Sequence, residues 1–392
     1  MPVSDLPPEL LDAIIDEIQE DKKSLLQASL VCKAFCPRTR VHLFSVALLS
    51  SWECSCERLR ELITLSPKLA LHFKSLRIVI SLNPDLPFSI YEPLTVIGSL
   101  PNITDLYLIR GVWEFMPAPV VSCLQSYSYR ILSIDPTFFF RRIGDICSLV
   151  QNSPNLQEVR LALQSSITEC DHSLHRTTAP ATAHIIEPTL LKSVLPSGPC
   201  PFSCSNIRIL HIALPDTSTV PRYVSRYLAL SPSSLKHLFV SHFNNPSPGF
   251  RDRSSETLNI SNVELVTVKI EGTKMTLGGR AFHIFEWWIS NLSAVNVKHC
   301  AIRSITFTII WTWPKYEKPH PALDWEDLWM RLDSCLTSSK IASLERVAFI
   351  FDPRPAGWDT FKTRMEGKFR GLKELGCEVS LNAMGYDNRP YF

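Results

Sequence analysis

Apolar residues recur at helical spacing from the first few residues of the chain. Leu10, Leu11, Ile14, Ile15 and Ile18 share one side of a predicted helix, and Asp12, Asp16, Glu17 and Gln19 fall opposite. Pro7 and Pro8 suit its first positions, where a missing N–H costs nothing, and Glu9 sets a carboxylate at the positive end of the helix dipole. After the polar stretch EDKKS, Leu25, Leu26, Leu30 and Val31 predict a second short helix that runs on to Phe35 until Pro37 interrupts it. A third segment, TRVHLF, follows at once. The three pieces total about forty residues, a size that rarely builds a sufficient core without a metal, a disulfide or a partner. The pattern therefore predicts a segment that needs something else to pack on.

Beyond Trp52 the period changes. An apolar residue, two variable positions, a second apolar residue, one variable position and a third apolar residue recur. The pattern reads FKSLRI at Phe73, ITDLYL at Ile103, LQSYSY at Leu124, LQEVRL at Leu156 and IRILHI at Ile207. It continues as LKHLFV at Leu235, LVTVKI at Leu265, IRSITF at Ile302, LERVAF at Leu344 and LKELGC at Leu372. Turn residues introduce several copies: LPN, SPN, CSN and SPSS. Between the predicted strands lie amphipathic stretches of helical period, at 90–100, 140–150, 282–288 and 325–336. The alternation resembles a degenerate leucine-rich-repeat solenoid, in which no unit buries its apolar face alone and stacking supplies a continuous core. Most intervals are about thirty residues, but those from Leu156 to Ile207 and from Ile302 to Leu344 are longer and must hold insertions or further repeats. The first contains ECDHSLHRTTAPATAH and is predicted to be an exposed inserted loop near 164–200. A doubly wound α/β sheet is the competing fold, and its strands would more often be continuous apolar runs.

The helical opening resembles an F-box, in the form common in mushroom-forming fungi. The resemblance covers Leu6 to about Phe44 and rests on Leu6-Pro7, Glu9-Leu10, Ile14 and the run Leu30-Val31-Cys32-Lys33, similar to the family's L-V-C-[KR]. Phe35 stands where tryptophan is commoner, and His42-Leu43-Phe44 where many members have a second tryptophan. The family implies a module at 1–50 that docks on the Skp-family adaptor of a cullin-RING ubiquitin ligase, with Leu6, Pro7, Leu10, Ile14, Leu30, Val31, Cys32 and Phe35 as its contacts. The fold expected is thus α/β, a small helical F-box followed over 51–392 by a leucine-rich-repeat-like solenoid of alternating strands and helices.

Composition narrows the function. Forty basic and thirty-eight acidic side chains leave a formal charge of +2 on 392 residues, far from the excess of a chain that coats nucleic acid or anionic membrane. Neither nucleic acid nor membrane is expected as a partner. The start carries no secretory pattern and no apolar run nears the roughly twenty residues that span a bilayer, so the chain reads as intracellular, in cytoplasm or nucleus. Its 12 cysteines are scattered and read as small buried hydrophobes. Cys32 with Cys36, Cys54 with Cys56, and Cys200 with Cys204 lack paired zinc spacing, and Cys170, His172 and His175 read as loop residues. No phosphate loop, dinucleotide fingerprint, zinc-protease motif or nucleophile elbow is present. No cofactor, metal or catalytic residue is therefore expected. Trp287 with Trp288, Trp311 with Trp313, and Trp325 with Trp329 are read as core or interface, and WTWPKYEKPHP as a partner-binding loop.

These observations predict a non-catalytic substrate receptor whose contribution is proximity, the repeats holding a target near a ubiquitin-loaded enzyme. A scaffold that binds the adaptor without promoting transfer, and an enzyme hidden in the repeats, are the alternatives. The variable strand positions predict the target class. Lys74, Arg77, Arg160, Arg208, His211, Lys236, His237, Lys269 and Arg303 stand there against Asp105 and Glu158, which predicts a basic stripe on one face suited to an acidic or phosphorylated segment.

Overall fold

Pro8 does begin a helix, α1 (Pro8–Glu17), because its fixed φ and missing N–H are tolerated in a first turn. Helix α2 (Lys22–Val31) starts at Asp21, whose carboxylate accepts the backbone N–H groups of Lys23 at 3.0 Å and Ser24 at 3.3 Å. It ends at Val31. Pro37 therefore does not interrupt the second helix; it sits in the first turn of α3 (Cys36–Leu43), the one place a helix accepts it. Leu11, Ile15, Leu25 and Phe35 close a small core among the three helices, with Leu6, Ile18, Ala28, Cys32 and Leu43 packed around it. The structure, a computed structural model, describes residues 6–51, 54–82, 88–161, 180–185, 207–214, 224–225, 228, 234–242, 257–295, 300–312, 326–355 and 357–384.

Two compact units emerge, residues 1–178 with 199–202, and residues 179–198 with 203–392. Helices α1–α3 belong to the first. There β1 (Val46–Ser50), β2 (Ser75–Val79), β3 (Asp105–Val112), β4 (Ile131–Phe139) and β5 (Glu158–Leu161) pair in sequence order, every pair parallel. Between them run α4 (Ser55–Leu65), a 3-10 segment over Phe88–Ser99, α5 (Ala118–Ser126) and α6 (Ile143–Val150). Such right-next-neighbour order is what stacked repeats give. Register puts the core residues in rows: Ala47, Leu76, Leu106, Leu132 and Val159 form one, and Leu49, Ile78, Leu108, Ile134 and Leu161 the next, all buried.

The second unit repeats the arrangement with β6 (Thr182–Ile185), β7 (Ile209–Leu214), β8 (His237–His242), β9 (Leu265–Thr273), β10 (Ser304–Thr312), β11 (Arg346–Asp352) and β12 (Glu378–Ala383), again parallel and in order. Helices α7 (Lys274–Ser293), α8 (Glu326–Leu336), α9 (Trp358–Lys368) and α10 (Arg370–Glu374) lie between the later strands. One core row runs Ile212, Val240, Val268, Phe307, Phe349 and Leu381. Phe307 stacks on Phe349 at 5.4 Å, and Phe349 on Phe369 at 4.8 Å. Trp288 and Trp329 are buried, as their spacing predicted.

Three strand assignments change. LQSYSY is the end of α5 and the turn after it; the repeat there begins at Tyr129, which leads to Leu132 and Ile134. LKELGC likewise lies in α10 and its turn, ahead of β12. In β9 the pattern starts at buried Val263 rather than at Leu265, which is exposed. Strand β6 stands inside the stretch predicted to be an inserted loop, so one long interval does hold a repeat. The rest of that stretch, and residues 313–325 with most of WTWPKYEKPHP, lie outside the described residues.

One histidine makes a pH prediction. His242 lies in the core-facing row of β8, where its Nε2 accepts the indole N–H of Trp288 at 3.1 Å. Burial pushes its pKa down from 6.5 to about 3. The folded state keeps the ring neutral while the unfolded chain takes up a proton, so stability is full above pH 6.5 and is lost as pH falls from there towards about 3. The loss approaches about 1.4 kcal/mol per pH unit. His242→Gln keeps an acceptor for Trp288 and does not titrate. Its denaturation midpoint is expected to fall less between pH 7 and pH 5 than that of the wild type. Parallel pH profiles would refute the assignment.

Candidate functional site

The three helices present apolar side chains on two sides. Leu11 and Ile15, four residues apart, face the small core, and Leu10 and Ile14, also four apart, face away and are about half exposed. On α2, Leu25 faces inward while Leu26 and Leu30 share the outer side. Leu30 is 87% exposed and Val31 is 66% exposed. A folded surface rarely leaves so many large apolar side chains in water within so few residues. Taking each from exposed to buried contributes roughly 1.5–3 kcal/mol.

The residues expected to meet an adaptor thus divide. Leu10, Ile14, Leu30 and Val31 face outward, Pro7 is exposed, and Leu6 and Cys32 are partly buried against the module's core. Phe35 is a correction: it is buried among Leu11, Ile15 and Leu25, so it holds the helices together instead of meeting a partner. Leu26 was missed, although its place four residues before Leu30 on one helix face was the signal.

Asp16 locks α1 to α3. Its carboxylate accepts Arg38 through Nε at 2.6 Å and Nη2 at 2.7 Å, and lies 2.6 Å from His42 Nε2. Arg38 first, then His42, hold the carboxyl down at about 2. This pairing ties the acidic back of α1 to the basic face of α3 and sets the angle at which Leu10 and Ile14 stand.

The open side of the strands carries the second set of candidates. Alternation places Arg77, Arg160, His211, His237 and Lys269 there, opposite the core rows. Lys74, Arg208, Lys236 and Arg303 are elsewhere. Each directly precedes its strand or the residue that starts it, and its backbone carbonyl accepts the N–H of the residue one repeat further on: Thr104 on Lys74, Lys236 on Arg208, Glu264 on Lys236 and Glu345 on Arg303. These four share the parity of the core positions and mark the rim at the strand starts.

Much of the expected basic stripe is paired with carboxylates. Arg160 pairs with Glu158 at 2.6 Å, Lys236 with Glu264 at 3.2 Å, Arg303 with Glu345 at 3.8 Å, and Lys269 with Glu271. Arg346 with Glu378 at 3.8 Å adds another pair. In the second unit His184, His211 and Phe239 fall in one register row. His184 and His211 have ring centroids 3.9 Å apart, and His211 stacks on Phe239 at 4.6 Å. His237, one row away, has Nε2 2.9 Å from Thr267 Oγ1, and burial pushes its pKa down.

In the first unit register brings Leu48, Arg77, Tyr107, Ser133 and Arg160 into one row across β1 to β5. The Arg77 guanidinium lies over the Tyr107 ring, 5.2 Å from its centroid. Burial and then the Asp105 carboxylate push the Tyr107 phenol up, while Arg160 and Arg77 pull it the other way, so both guanidiniums act on one hydroxyl. Tyr107 and Ser133 escaped the sequence reading, which followed charge alone.

Among the described residues no group of three or more His, Cys, Asp or Glu side chains is placed to hold a metal ion, and no helix is long and apolar enough to cross a membrane. Cys170, His172, His175, Cys200 and Cys204 lie outside the described residues. Neither a family model nor a curated protein matches this chain.

Proposed function

We propose that the chain is a substrate receptor of a cullin-RING ubiquitin ligase, with α1 and α2 docking on a Skp-family adaptor and the repeats holding the target. The observation that carries this reading is the pair of outward apolar faces, Leu10 with Ile14 and Leu26 with Leu30 and Val31, on helices whose inward faces already share a core. Those faces have no structural task in the three-helix core. They stand in the segment whose sequence resembles an F-box, the family that uses such a surface on the adaptor. The receptor does no chemistry of its own; it raises the local concentration of target lysines around the ubiquitin thioester.

Affinity purification of the tagged chain from cells, with a proteasome inhibitor present, is the test. Recovery of both adaptor and cullin is the expected result. Adaptor without cullin would replace the ligase role with that of a scaffold, and absence of the adaptor would remove the reading altogether.

A further inference from the structure

The row Arg77, Tyr107, Ser133 and Arg160 differs from the rest of the open surface in what is left unengaged. Its neighbouring carboxylates are engaged elsewhere, at least in part: Asp105 accepts Arg130 through Oδ2 at 2.8 Å, its buried Oδ1 having no hydrogen-bond partner among the described residues, and Asp135 accepts the backbone N–H and the hydroxyl of Thr137 at 3.0 and 2.8 Å. Glu158 holds Arg160. Arg77, by contrast, is exposed and has no carboxylate partner among the described residues; its guanidinium rests on the Tyr107 ring. Neither the Tyr107 nor the Ser133 hydroxyl has a hydrogen-bond partner among the described residues, and both side chains are only partly buried. Arg160 is half exposed despite its pairing, so its remaining N–H groups face water.

Spacing selects the ligand. The backbones of Arg77 on β2 and Arg160 on β5 are three strand steps apart, about 14 Å at the usual inter-strand distance, and a segment laid across the strands meets the two side chains at that spacing once it draws Arg77 off the Tyr107 ring. An extended chain laid across the strands advances about 3.4 Å per residue, so about four residues bridge that gap. The two hydroxyls between the guanidiniums then meet backbone N–H and C=O groups of the bridging residues, and the guanidiniums meet anionic side chains at its ends, where a planar carboxylate fits bidentately.

We propose that this row is the part of the repeats that holds the target, and that it takes an extended segment carrying two carboxylate side chains about four residues apart, laid across β2 to β5. The proposal rests on reading the repeats as the target-binding part of a receptor, and it names the class of target. Glu158 acts in it as an internal competitor, occupying Arg160 until the segment arrives.

The test is fluorescence anisotropy of the full chain, without adaptor, against labelled Gly/Ser peptides that carry two glutamates at increasing separation. Binding is expected to be tightest at a separation of about four residues and to weaken steeply with salt. Arg77→Gln with Arg160→Gln should weaken it about tenfold or more, the loss of two charge-assisted contacts. Glu158→Gln should tighten it by releasing Arg160, and Arg370→Gln with Lys373→Gln, which removes two positive charges from α10, should leave it unchanged. Lack of binding, indifference to separation, or indifference to the double arginine substitution would each overturn the proposal. So would a peptide with a single phosphoserine that binds more tightly than every two-glutamate peptide, since it would show convergence on one phosphate. Adaptor capture is measured separately: its failure with peptide binding intact would sink the ligase reading alone, and the reverse outcome would sink the acidic-segment row alone.

Discussion

Leu10→Asp is expected to leave the chain folded and to abolish its binding to a Skp-family adaptor. Leu10 is half exposed and lies in the first turn of α1, beside Glu9. A carboxylate there meets the positive end of the helix dipole and adds no strain. The small core is untouched because Leu11 and Ile15 supply the inward face. In a docked complex the same carboxylate would be buried in an apolar interface without a partner, at a cost of several kcal/mol. A loss of about 4 kcal/mol is close to a thousandfold in Kd. Calorimetric titration of purified adaptor into the two proteins, with circular dichroism as the check on folding, measures both halves of the claim. Near-wild-type affinity would remove α1 from the interface. Phe35→Ala provides the contrast: it opens a cavity among Leu11, Ile15 and Leu25, so it should lower the melting temperature as well as weaken binding, because the module itself loosens.

The strand pattern was legible because each repeat states it twice, in a buried lead-in and in two alternating core positions. Phe73 before Leu76 and Ile78, and Ile302 before Ile305 and Phe307, are buried throughout. It misled where a helix end satisfies the same spacing. Leu124, Tyr127 and Tyr129 fit it across the last turn of α5, and Leu372, Leu375 and Cys377 fit it across α10. VELVTVKI satisfies it in two registers two residues apart, and only packing decides that Val263 is inside and Leu265 outside. Strand β6 is hidden because its residues TAHI, and the Pro-Ala before them, include small and polar side chains that read as loop.

The site was less legible for two physical reasons. Periodicity marks Leu10, Leu11, Ile14 and Ile15 as apolar but does not say which pair is covered by the chain's own helices, and Phe35, expected at the surface from the F-box resemblance, is buried with Leu11 and Ile15. Arg160 with Glu158 and Lys269 with Glu271 cancel within one strand, two residues apart, but other charges cancel between neighbours that the fold brings together from far apart. Lys236 meets Glu264, and Arg303 meets Glu345, only because parallel register sets each beside the next repeat. Arg77 meets no carboxylate among the described residues for a matching reason: the neighbour that register gives it on β3 is Tyr107.

Gly111→Ala is expected to be among the most destabilising single substitutions in the first unit. The pairing of β3 with both neighbours shifts after Leu108, and Gly111 absorbs the irregularity with φ +147°, a conformation that side-chain-bearing residues rarely adopt. A Cβ there would lie 1.9 Å from Cγ1 and 2.6 Å from Cδ1 of Ile80, and 3.2 Å from Cε2 of Phe138. Ile80 and Phe138 are fully buried, so neither can move aside without displacing the core on which β2, β3 and β4 meet. Backbone strain of about 1–3 kcal/mol and overpacking of about 1–3 kcal/mol act together. A loss of about 3–5 kcal/mol is a large share of the stability of a domain. Urea denaturation of the full chain, followed by tryptophan fluorescence through Trp113 in this unit, measures it. Ile80→Ala separates the two causes: combined with Gly111→Ala it makes room for the new methyl group but leaves φ unchanged, so the double variant should be less destabilised than the sum of the singles. A Gly111→Ala chain within about 1 kcal/mol of the wild type would mean that β3 straightens at no cost, and the bulge that follows Tyr107 would then have no part in fixing the row beside it.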